Sequence, residues 1–317
     1  LGYAGQRVGA AFSRSQYRLG AGFSATQSNG ISNALSAFTT YPVIRSVGNS
    51  LYLRASGEMR SGVNNVGATN TSFQSKASVA RFGLNGDSLD SFAGGGFTSY
   101  GATLSLGSTS TTDPNDATPT GANSAGSFSK INYNAARQQT LSGPFTLYGA
   151  LSAQKANKNL DGSEQTGLGG PTSVRGYGGE AGGSTGALGT VELRYGQPIL
   201  LGSQASNISY GFFMDRGWVQ FYQTPPAATP AGTANSRSLG SYGLTVTLSS
   251  QFKVATPTST SYFARAMYGM HSATQPSIVD PSSTRKFWKS QIQTTLMVCA
   301  AWVKRASCHL WPQSRLP

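Results

Sequence analysis

The residues able to do chemistry are few, and their spacing limits what that chemistry could be. Eleven acids, twenty-four Lys and Arg and two histidines are spread over 317 residues. Glu58, Asp87, Asp161, Glu164 and Glu192 could be paired on paper as acid and base, but the sequence favours solvated or interior-facing charges for all five. There is no Walker loop and no His-Glu-x-x-His. Gly94-Gly95-Gly96 lacks the following helix and acidic partner of a dinucleotide site. His271 and His309 stand far apart, without cysteine-pair or His-x-x-x-His spacing. The expectation is no catalytic residue, no metal and no cofactor, hence not an enzyme. What remains is one guanidinium in an unusual setting. Val174-Arg175-Gly176-Tyr177 places a charge and an aromatic ring among glycines, where nothing hinders their approach to a partner.

The stretch around that guanidinium, residues 168–194, carries nine glycines and reads as a long folded loop. It ends in Thr190-Val191-Glu192-Leu193-Arg194-Tyr195, whose period-2 alternation is that of a strand with one apolar face. Strands of this kind must position the rest. In Leu51–Met59, Leu51, Leu53, Ala55 and Met59 share one face, and Tyr52, Arg54, Ser56 and Glu58 share the other. Burying both faces would strand Arg54 and Glu58, whereas lipid outside and water inside accommodates both. The same alternation marks residues 6–19, 76–85, 96–106, 127–141, 145–154, 208–222, 242–248 and 262–270. Residues 31–41 form a further strand, expected to stop at Pro42 because proline lacks a ladder amide. Strand 76–85 should turn at Asn85-Gly86-Asp87, and the polar run 108–126 suits a long loop. In 208–222, Tyr210, Phe212 and Met214 alternate with Gly211, Phe213 and Asp215, so Asp215 points inward.

Composition points the same way. Charged residues are only 11%, against roughly 25% in ordinary soluble domains. Aromatic content of 10% and hydrophobic content of 38% argue against disorder. The longest apolar run, residues 296–303, is far short of the roughly eighteen residues a spanning helix needs. A chain of this composition in a membrane crosses as strands, and about twelve are legible. The fold class is therefore all-β, an antiparallel transmembrane β-barrel with a long loop folded into its lumen.

The net charge of +13 does not imply nucleic acid. Six of those charges, Arg285, Lys286, Lys289, Lys304, Arg305 and Arg315, follow the last acid, Asp280, and the remaining +7 is scattered. Cys299 and Cys308 also lie in this tail, so the body is free of cysteine, which suits passage through an oxidising compartment.

Gly169-Gly170-Pro171-Thr172-Ser173-Val174-Arg175-Gly176-Tyr177, the glycine-spaced run after it and Val191-Glu192-Leu193-Arg194-Tyr195 resemble the sixth extracellular loop and following strand of TpsB transporters, the ShlB/FhaC/HecB haemolysin-secretion family. The resemblance departs at Ser184, where that family usually carries an acid. It implies a sixteen-stranded barrel in the Gram-negative cell outer membrane, placed in the lipid by the barrel assembly machinery. The partner it implies is a large unfolded exoprotein, an adhesin or haemolysin, exported by two-partner secretion without nucleotide. It further implies that the loop enters the lumen and that Arg175 pairs with Asp215 as a latch, with Val174, Gly176, Tyr177, Gly169 and Gly170 as the loop motif and Glu192 and Arg194 on the strand leaving it. On this reading residues 1–288 are the C-terminal part of the barrel, without the family's two periplasmic POTRA domains, and 289–317 is an aberrant basic tail of frameshifted or read-through origin. A barrel insertase of the same superfamily and a passive porin are the alternatives.

Overall fold

The computed structural model describes residues 5–19, 25–201, 204–252 and 290–296. Thirteen strands occur among them: β1 (Arg7–Arg18), β2 (Ser28–Arg45), β3 (Asn49–Val66), β4 (Thr71–Asp90), β5 (Gly96–Thr111), β6 (Gly126–Thr140), β7 (Phe145–Ala156), β8 (Thr166–Leu168), β9 (Ala181–Gly183), β10 (Thr185–Leu201), β11 (Gln204–Gln220), β12 (Ser236–Phe252) and β13 (Ser290–Leu296). Eleven form one antiparallel sheet in the order β1-β2-β3-β4-β5-β6-β7-β10-β11-β12-β13, and β8 pairs only with β9. The fold is all-β, as expected. Among the described residues β1 and β13 do not pair, so closure of the sheet is not seen there.

Among the described residues, 46–48, 91–95 and 141–144 join strands at one end, and 67–70, 112–125, 157–184 and 221–235 at the other. The longest described connections, 112–125, 157–184 and 221–235, are all on one end of the sheet.

Side-chain alternation sets two different faces. On β11, Gly211, Phe213, Asp215, Gly217 and Val219 are buried, while Tyr210, Phe212, Met214, Arg216 and Trp218 are exposed. The exposed set continues through Val191 and Leu193 on β10 and Leu244 on β12. Around β10 to β12 this outer face is apolar apart from Arg216. The inner face carries most of the ion pairs, and the 157–184 connection lies across it.

Several strands differ from the sequence expectation. Strand β2 runs through Pro42 to Arg45, because a register shift between Pro42 and Ile44 opens the ladder where proline has no amide to donate. Strand β4 does not turn at Asn85-Gly86-Asp87. It continues to Asp90, with Asn85 opposite Gly101 and Gly86 opposite Tyr100, so a neighbour on both sides overrides local turn propensity. Strand β10 starts at Thr185, inside the glycine-rich run, paired to β11 from Thr185↔Gln220 onward. Seven residues of the basic tail, Ser290–Leu296, form β13 against β12. The strand expected at 262–270 lies outside the described residues, as does most of the tail.

Candidate functional site: a loop clamped to the inner face

The inner face of β11 is built to receive one guanidinium. Asp215 is buried and takes five hydrogen bonds. The Arg175 amide and Nε donate to Oδ2 at 3.0 and 2.8 Å, and Nη2 donates to Oδ1 at 2.8 Å. Thr190 Oγ1 on β10 and Ser241 Oγ on β12 donate at 3.0 and 3.4 Å. The third guanidinium nitrogen, Nη1, reaches Glu192 Oε2 at 3.0 Å, and the other Glu192 oxygen accepts from Arg194 Nε and Thr245 Oγ1. Phe213 lies under the guanidinium, with Cζ 3.5 Å from the ring centroid. A planar fork held by two carboxylates over an aromatic face is a site for arginine and not for lysine.

The glycines of β11 make this arrangement possible. A Cβ on Gly211 would lie 2.6 Å from Glu192 Oε1 and 2.4 Å from Thr245 Oγ1, so only glycine lets those two groups meet across β11. A Cβ on Gly217 would lie 2.5 Å from Leu168 and 2.9 Å from Val174. Those two loop side chains are fully buried against Val219 and Leu239, with Tyr177, Leu188 and Phe221 packed around them. Burying a Leu and a Val contributes about 1.5–3 kcal/mol each, comparable to the ionic part of the clamp.

A second anchor holds the start of the loop through partners 34 to 104 residues away in sequence. Glu164 is buried, and its Oε1 accepts from Arg60 Nη2 on β3 at 2.5 Å and Arg81 Nη2 on β4 at 3.3 Å. Lys130 Nζ on β6 pairs with Oε2 at 2.8 Å and also donates to the Glu164 carbonyl. Burial pushes this carboxyl up, but the Lys130 hydrogen bond and charge, with Arg60 and Arg81 behind them, outweigh it and hold it below the usual carboxylate range. At the rim, Asn159 ties three connections together. It donates to the carbonyls of Ala122 and Thr224 and accepts from the amides of Gln223 and Thr224.

The sequence pattern of the haemolysin secretion/activation proteins ShlB/FhaC/HecB matches residues 1–274. The chain belongs to that family. Among solved structures, CdiB from Escherichia coli superposes with a TM-score of 0.60 at 19% identity, over 79% of this chain and 46% of that one. CdiB from Acinetobacter baumannii gives 0.54 at 16% identity, over 78% and 44%. This ShlB/FhaC/HecB chain therefore spans under half the length of either CdiB and shares its β-barrel fold. Comparison with curated proteins gives no significant match.

In this member of the family, Arg175, Asp215 and Glu192 meet in one network, which Arg194 joins through Glu192. Val174 sits in the apolar seat, and the Tyr177 hydroxyl donates to the Gly240 carbonyl at 3.2 Å. Gly169, Gly170 and Gly176 all have positive φ. Gly169 is the most constrained, since a Cβ there would lie 2.0 Å from the Gly178 carbonyl. Ser184, the departure from the family pattern, is fully buried. Its hydroxyl donates to the Phe221 carbonyl and accepts from the Leu160 amide, which fastens the loop's return limb. It lies within Gly182-Gly183-Ser184-Thr185-Gly186, the spacing of a serine-nucleophile elbow, but its hydroxyl is spent on backbone.

Sequence reasoning named Glu164 only as a solvated or interior-facing charge, where it is buried as an anchor, and missed Gly217 and Asn159. Gly217 was accessible, since it stands two residues from Asp215 and must share its face. Glu164 and Asn159 sit in irregular backbone, where no period assigns a face.

Proposed function

We propose that the chain forms the pore-bearing part of a two-partner secretion transporter in the outer membrane of a Gram-negative cell, and that it conveys an unfolded exoprotein of the adhesin or haemolysin kind. Membership of the ShlB/FhaC/HecB family supports the transport class. The largely apolar outer face and long strands fit a lipid-embedded wall, which needs about 9–11 residues per crossing. The observation that carries the reading is the buried Arg175 held between Asp215 and Glu192. A passive pore has no need to fasten a glycine-rich loop so firmly across its inner face. On this reading the inner face lines the lumen, the short turns face the periplasm, and the clamped loop closes the conduit until a client arrives.

The deciding experiment is secretion of the cognate exoprotein by the intact protein, run beside single-channel conductance in planar bilayers. A transporter secretes its client and conducts little at rest, and Arg175→Ala inserts normally while raising conductance and lowering secretion. A steady open conductance in the native protein, insensitive to Arg175, would identify a passive porin instead.

A further inference from the structure

The cations of this sheet divide by face. On the inner face Arg60, Arg81, Lys130, Arg175 and Arg194 each hold a carboxylate. On the outer face, in the half nearer the long connections, Arg14, Arg18, Lys76 and Lys155 are exposed and have no carboxylate partner among the described residues, and of these Arg14 and Lys76 lie level with each other. The one strand acid on that face among the described residues, Asp90, lies at the short-turn end and is held by Arg137. Unpaired charges on a face made largely of Phe, Leu, Val and Met need an external counter-charge, since an ion among apolar groups is costly unless paired.

Register brings Arg14 and Lys76 into one row. Arg14 pairs with Asn33, Asn33 with Ser61, and Ser61 with Lys76. The row crosses three strand spacings, about 14 Å, with two small polar residues between the cations. The next row toward the short-turn end is Phe12, Leu35 and Met59, facing Ser78. Below it comes a row without bulk: Ala10, Ala37, Gly57 and Ala80. The first two rows hold a shallow outer cavity of about 390 Å³, lined by Phe12, Asn33, Leu35, Met59, Ser61 and Lys76, with Arg14 beyond one end of the polar row and the alanine row beyond the apolar one. Its polar, cationic edge is at the long-loop end and its apolar floor runs toward the middle of the sheet.

We infer that this groove binds a phosphorylated lipid of the outer leaflet, with Arg14 and Lys76 on its phosphates, Asn33 and Ser61 on its polar head, and an acyl chain along Phe12, Leu35, Met59 and the alanine row. The inference rests on the membrane reading above, which puts the long-loop end at the cell surface. Charge complementarity selects this occupant. A neutral lipid leaves both cations unpaired, and a soluble anion leaves the apolar floor in water.

The test uses the intact protein in neutral detergent, incubated with lipid A or with lipid A stripped of its phosphates, and counts retained lipids by native mass spectrometry. Lipid A is retained and the stripped form is not. Arg14→Ser with Lys76→Ser lowers retention about thirtyfold, the effect of two cations at an anionic lipid surface. Arg216→Ser, an outer cation flanked by Gly189 and Gly240 and not by a groove, leaves it unchanged. Equal retention of both lipids, no loss in the double variant, or an equal loss in Arg216→Ser overturns the site. Protease protection in vesicles separates the two readings. A protein that does not insert overturns the membrane reading and the site with it, and one that inserts without selecting lipid A overturns the site alone.

Discussion

Arg175 gives Asp215 both its backbone amide and its side chain, so one carboxylate fixes the position and the rotamer of the same loop residue. The side chain alone could follow a shifting loop on its flexible stem. The amide cannot, because its 3.0 Å contact to Oδ2 requires the Val174–Arg175 peptide itself to lie against β11. The clamp therefore registers backbone against strand, and Val174 enters its apolar seat as a consequence.

Asp215→Ala should accordingly do more than remove a charge. It leaves Arg175 buried with Glu192 as its remaining carboxylate, a cost of about 3–5 kcal/mol where the site is well covered. Arg175→Ala orphans Asp215 to a similar extent, and the double variant should be no worse than either single one. Hydrogen exchange at residues 169–180 measures the opening, and strictly additive effects would refute the pairing. Arg175→Lys should recover little, since a single ammonium cannot serve Asp215 and Glu192 from a flat fork over Phe213.

Gly217→Val tests the apolar half of the docking without touching a charge. Even a Cβ collides with Leu168 and Val174, and both sit on backbone already fixed by Gly169 and the clamp. The loop must lift, at an overpacking cost of about 1–3 kcal/mol, and residues 168–175 should become open to protease while strand exchange in β11 is preserved. Unchanged protection would mean that the seat contributes nothing to holding the loop.

Glu164→Gln should free the start of the loop and spare its middle. The substitution keeps shape but leaves Arg60, Arg81 and Lys130 facing one another with only Glu58 to share. Exchange at residues 163–168 should rise while the Arg175 segment stays protected, and resting conductance should increase less than in Arg175→Ala. Equal loss of protection in both segments would show the two anchors to be one cooperative unit.

How much of this the sequence could show depended on periodicity. Strand faces were legible wherever apolar and polar residues alternate, which is why Asp215, Glu192 and Arg194 could be placed inward before any coordinates. Strand ends were not. Asn85-Gly86-Asp87 has turn chemistry, yet pairing on both sides carries β4 to Asp90, and Pro42 was taken as a stop although a register shift absorbs it. The arginine itself stood out through its glycine surroundings. Its second carboxylate, Glu192, the role of Phe213 beneath it and the space left by Gly211 and Gly217 depend on which residues of three neighbouring strands lie level, and register is a long-range property. Glu164 was the least accessible, because its partners Arg60, Arg81 and Lys130 come from three strands and only the fold assembles them.

The Glu164 anchor also predicts how the loop responds to acid. Its carboxyl titrates in the docked state below its ordinary value of 4.5, since three cations favour the charged form. A depressed value means that the docked loop binds its proton less readily than the released loop, so the anchor contributes in full above 4.5 and is lost as pH falls through the lower, docked value. From neutrality down to about pH 5 the protection of residues 163–168 should therefore be flat, and below 4.5 it should fall. In Glu164→Gln the same segment should be weakly protected at every pH, with no acid transition. Exchange followed by mass spectrometry across pH distinguishes the cases, and a transition that persists in Glu164→Gln would assign the acid sensitivity to another carboxylate.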